Sequence, residues 1–104
     1  MKKRFIVSIN ATSTSQDAAF ILYLRTLKNT HGWGIGWWHW LTGTWLISDP
    51  SGHLAATSLR DSVKLIYTSA HVLVFELPAG IGDSWAAFGP KNTMLKWLEE
   101  NWKA

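Results

Sequence analysis

The chain has 104 residues, ten of them Lys or Arg and seven Asp or Glu, for a formal charge of +3. That length supports one domain able to bury roughly two thirds of the surface its unfolded form exposes. It holds no cysteine, which excludes disulfide frameworks and thiolate metal sites.

Three of the ten cations, Lys2, Lys3 and Arg4, sit together near the first residue. The remainder is neutral, so the basic balance is weak ground for a nucleic-acid partner. The apolar run after those cations stops at Ser8, too short for a signal peptide. No stretch approaches a membrane span. A soluble, cytoplasmic protein is expected.

Residues 3–10 alternate, with Phe5, Val7 and Ile9 on one side and Ile6, Ser8 and Asn10 on the other, the pattern of a half-buried strand. A polar loop over 11–16 follows, in which Thr14 and Asp17 read as a capping pair. A helix is expected over 17–29, with Phe20, Leu24 and Leu27 inward and Gly32 and Gly34 ending it. The segment 36–48 then reads as a β-hairpin turning at Leu41-Thr42-Gly43, with bulky apolar groups on both faces of both strands.

Asp49-Pro50-Ser51-Gly52 breaks the pattern. A second helix is expected over 54–67, with Ala55, Leu59, Val63 and Ile66 inward, and then a fourth strand over 71–77 bounded by Pro78. A glycine-rich loop over 79–83 leads to Trp85-Ala86-Ala87-Phe88, a short irregular or extended piece. The last element is a helix over 91–103, with Met94, Leu95, Leu98 and Trp102 inward and Glu99 four residues before Lys103.

The order strand, helix, strand, strand, helix, strand predicts an α+β, ferredoxin-like βαββαβ sandwich with an additional C-terminal helix, all one domain. Right-handed crossovers put both long helices on one sheet face. The chain carries eight tryptophans. Each buries about 150–250 Å², worth roughly 4–6 kcal/mol, so the opposite face needs a cover too. The C-terminal helix supplies part of it. A second copy supplies the rest, which predicts a homodimer with Trp38, Trp40, Trp45 and Trp85 at its interface.

Several pieces together carry a family resemblance. They are Phe5-Ile6-Val7-Ser8-Ile9-Asn10, Trp37-Trp38-His39, Thr44-Trp45-Leu46-Ile47, Leu59-Arg60-Asp61, Val72-Leu73-Val74-Phe75-Glu76, Trp85-Ala86-Ala87-Phe88 and Trp97-Leu98. In this order they resemble the small SinR-like proteins, relatives of the second CRISPR-associated protein. The resemblance spans nearly the whole chain and implies a ferredoxin-like protomer that dimerises. It also implies one of two activities, metal-dependent cleavage of nucleic acid or non-catalytic binding of duplex DNA. Cleavage in that family rests on an acidic residue near the end of the first strand, paired across the dimer around a divalent ion. Here that position is Asn10, a poorer ligand for Mg²⁺ than a carboxylate.

The first expectation is therefore a non-catalytic homodimeric interaction module without cofactor. Its contacts to duplex nucleic acid would come from Lys2, Lys3 and Arg4 together with Arg25, Lys28, Arg60 and Lys64 on the helices. The second is a Mg²⁺-dependent endonuclease with Asn10 and Asp49 near its site. The bland reading makes Asn10 a turn former and Asp49 the start of a turn. The third is a small-ligand binder using the aromatic hairpin, with the 79–85 loop as its lid. The histidines at 31, 39, 53 and 71 show no metal-ligand spacing, and His39 reads as a packing residue. No nucleophile elbow or phosphate-cradling loop is present.

Overall fold

The computed structural model describes residues 1–78, 86–89 and 92–102. Strand β1 (Lys3–Ile9) leads to helix α1 (Thr14–Arg25) and then to the hairpin strands β2 (Gly36–Leu41) and β3 (Thr44–Asp49). Helix α2 (Ala56–Ile66), strand β4 (Val72–Leu77) and helix α3 (Asn92–Asn101) complete the order. The chain is α+β. Its four strands form one antiparallel sheet in the order β2-β3-β1-β4.

Helix α1 begins three residues earlier than its apolar stripe suggests. Ser13 is the cap, its Oγ accepting the Gln16 N–H at 3.3 Å. Serine followed three residues later by glutamine is a capping pattern, and Asp17 falls inside the first turn, where its charge suits the helix dipole. Beyond Arg25 the chain continues as a π-helical turn, Thr26–Thr30, which keeps Leu27 buried. Gly43 closes the hairpin at φ +76°, where a side chain would run into the Ile9 carbonyl. Its own carbonyl accepts the Ile9 N–H at 2.7 Å, so the turn sits on the end of β1.

Strand periodicity sends alternate residues to two faces. Phe5, Val7 and Ile9 of β1 join Trp45 and Ile47 of β3 against Phe20 and Leu24 of α1 and Leu59 and Val63 of α2. The opposite face carries a smaller cluster, in which Trp38 packs with Met94, Leu98 and Trp102 while Ile6, Leu46 and Leu77 lie beneath. The Trp38 indole N–H donates to the Met94 carbonyl at 3.2 Å and pins α3 to the hairpin. The pairing expected between Glu99 and Lys103 lies partly outside the described residues. Lys96 and Glu100 pair four apart instead, at 3.8 Å. No helix among the described residues is long and apolar enough to cross a membrane.

Candidate functional site

Helix α3 leaves part of its sheet face open. At the β4 rim, Leu73 and Phe75 are 54% and 56% exposed, and they lie beside Ser8 and Ile6 of β1 in the antiparallel register. At the hairpin end, Trp40, Leu41 and Phe88 are also exposed. Between hairpin and α3 lies a cavity of about 660 Å³ lined by Trp38, Trp40, Leu46, Phe88, Leu98 and Trp102, among others. Its walls are mainly apolar, with Thr44 among the lining residues.

The four rings expected at a subunit contact separate on this geometry. Trp40 remains on the surface, and Trp85 lies outside the described residues. Trp38 is buried by α3 within its own chain. Trp45 is a correction. It is fully buried on the helix face, with the His39 ring stacked on it at 3.7 Å and Phe20 edge-on at 4.6 Å. It has no surface to offer a partner.

Asn10 and Asp49 are not brought together. Lys3 pairs with Asp49 at one end of β1, and Asn10 follows its other end, roughly 20 Å away at the usual strand rise. Asn10 ties β1 to β4. Its Oδ1 accepts the His71 N–H at 2.7 Å, and its Nδ2 lies 3.4 Å from His71 Nδ1. Asp49 is fully buried. Its Oδ1 accepts from the Ser51 N–H and hydroxyl at 2.9 and 2.6 Å, and its Oδ2 from the Leu54 N–H at 2.8 Å. Both groups are thus engaged in local structure and do not fit a shared Mg²⁺ ion. Among the described residues, no three His, Cys, Asp or Glu side chains gather in a way that could hold a metal.

The cations divide in the same way. Lys3 begins β1, within the strand expected over 3–10. Lys3 Nζ donates to the Leu54 carbonyl at 3.0 Å, and Lys2 Nζ donates to the Asn101 carbonyl at 2.6 Å. Arg4 is buried, its guanidinium 5.6 Å from the centre of the Trp102 ring. Arg25, Lys28 and Lys64 are exposed on the helix side, as is Arg60, which bonds the Asp61 carboxylate through Nε and Nη2.

One constellation escaped the sequence reading. The Tyr67 hydroxyl donates to Asp17 Oδ1 at 2.6 Å, and His39 Nε2 lies 3.6 Å from Asp17 Oδ2. His39 Nδ1 is 2.9 Å from the Thr44 carbonyl, to which it donates. Burial pushes the Tyr67 hydroxyl well above its ordinary value, helped by its hydrogen bond to Asp17 and by that group's charge. The three residues come from α1, β2 and the end of α2, so no spacing rule could have joined them. The faint signal was Asp17 itself, one of only two acids in the first sixty residues. The arrangement clamps the hairpin and α2 onto the start of α1.

Comparison of the chain with protein-family models, with curated proteins and with solved structures finds no match.

Proposed function

We propose that this protein is a non-catalytic interaction module, a ferredoxin-like protomer that works as a homodimer. The sheet order β2-β3-β1-β4, with every neighbour antiparallel and α1 and α2 packed on one face, supports the split βαβ arrangement. The single observation that carries the pairing is the exposed Leu73–Phe75 pair on the face that α3 covers only in part. Contiguous exposed apolar surface marks interaction sites. The local engagement of Asn10 and Asp49 favours a binding role over cleavage. Sedimentation velocity across the micromolar range tests the pairing. A dimer is expected, and a monomer throughout overturns the reading.

The duplex-binding role that the resemblance implies would fall to Arg25, Lys28, Arg60 and Lys64, since the first three cations make contacts within the fold. Its signature is affinity for duplex DNA that falls steeply with salt. The absence of binding at low salt removes it.

The cavity favours a second reading. At about 660 Å³ it falls in the size range of small-molecule sites, and its lining suits an uncharged, largely apolar ligand. Such a ligand raises the melting temperature and changes tryptophan fluorescence through Trp38, Trp40 and Trp102. An apolar library that does neither excludes this role.

A further inference from the structure

We infer that the dimer forms edge to edge, with β4 pairing antiparallel to β4 of a second copy about a two-fold axis at Val74. The inference rests on the homodimer reading above and adds its geometry. β4 ends the sheet, and no strand lies beyond it among the described residues. The Asn10 N–H donates to the His71 carbonyl at 3.2 Å, which fixes the phase of the ladder. Residues 71, 73, 75 and 77 turn their backbone groups toward β1. By the two-residue period of a strand, Val72, Val74 and Glu76 turn theirs outward. An open row of this kind is a template for another strand.

A second copy satisfies this row in one register. With Val74 facing the partner's Val74, Val72 faces the partner's Glu76 and Glu76 faces the partner's Val72. Each facing pair exchanges two backbone hydrogen bonds. The same register sets Leu73 against the partner's Phe75 on the sheet face where both are exposed. Aromatic–aliphatic cross-strand pairs of this type stabilise sheets. The two exposed pairs merge into one patch across the axis, and the symmetry is closed.

Charge complementarity selects a copy of this chain over an arbitrary strand. Glu76 is the only charged residue of β4, and it belongs to the helix face with Val72 and Val74. Antiparallel pairing delivers it opposite Val72. The groove beside Val72 is lined by Ala56, Thr57 and Arg60 of α2. Each Glu76 therefore meets the partner's Arg60, which now bonds Asp61 on its own helix. A parallel arrangement, or one shifted by two residues, loses this match.

The chain lacks cysteine, so register can be read by crosslinking. Directly opposed positions of the wide type lie about 4.5 Å apart at Cα, within disulfide reach. A residue and its own copy two positions out of register lie at about 7–8 Å, beyond easy bridging. Mixing Leu73→Cys protein with Phe75→Cys protein under mild oxidation is expected to give the mixed disulfide in preference to either self-disulfide. Glu76→Lys is expected to weaken dimerisation by roughly fivefold, and combining it with Arg60→Glu is expected to restore the affinity. A dimer that forms no mixed disulfide and ignores Glu76→Lys overturns the edge pairing and leaves the homodimer standing. A wild type that stays monomeric overturns both.

Discussion

Asp49 keeps a carboxylate at zero exposure because three donors from Ser51 and Leu54 surround it. Removing that acceptor strands buried N–H groups, and each stranded group costs about 1–3 kcal/mol. Asp49→Ala should therefore lower stability by about 3 kcal/mol in urea denaturation, and Asp49→Asn, which keeps one carbonyl oxygen, by less. Tyr67 contributes stability that alkali removes. Its hydroxyl is held above the ordinary value of 10.0, so above that pH the unfolded chain loses a proton that the folded chain retains. The stability it contributes is complete below pH 10 and declines as pH rises further. Tyr67→Phe should flatten that decline, as followed by the denaturation midpoint against pH. The sequence exposed Asp49 as a turn residue because aspartate before proline and glycine has a local meaning. It could not expose the Tyr67–Asp17–His39 contacts, which form only when three elements pack.

Helix α1 shows what capping adds at the scale of an element. Its start was legible in Ser13 and Gln16, a serine with a glutamine three residues on, yet Thr14 and Asp17 suggested a later one. Ser13→Ala should cost about 1 kcal/mol, seen as a lower thermal midpoint with the helix content at low temperature unchanged. The inward stripes of α1 and α2 were read correctly at Phe20, Leu24, Leu59 and Val63, because a 3.6-residue repeat of apolar side chains admits one buried face. The hairpin was legible as far as its turn, where Gly43 is required. Which of its rings lie under helices was not. Pairing shifts by one residue between Trp38 and Leu41, and such an irregularity depends on neighbours far along the chain. Trp38 and Trp45 both looked like interface rings. The docking of α3 from residues 92–101 buried the first, and α1 covers the second.

At the scale of the whole molecule, one sheet carries a large hydrophobic cluster on one face and a small one on the other. Both clusters depend on the same ladder through β1 and β3, so the protein should unfold as one unit. Tryptophan fluorescence, which reports on both faces, and far-UV circular dichroism should give coincident transitions. Leu98→Ala should shift both together by about 2–4 kcal/mol. If fluorescence changes before the helical signal is lost, α3 melts on its own. The sheet is also walled unevenly. β1 and β3 lie between helices on both sides, whereas the β4 rim is sheltered on one side only. Deuterium should accordingly enter the backbone from that rim inward, with the Val72, Val74 and Glu76 amides labelling early in the isolated protomer and the β1 amides last. Slow labelling at those three rim positions would show that something lies against them in solution.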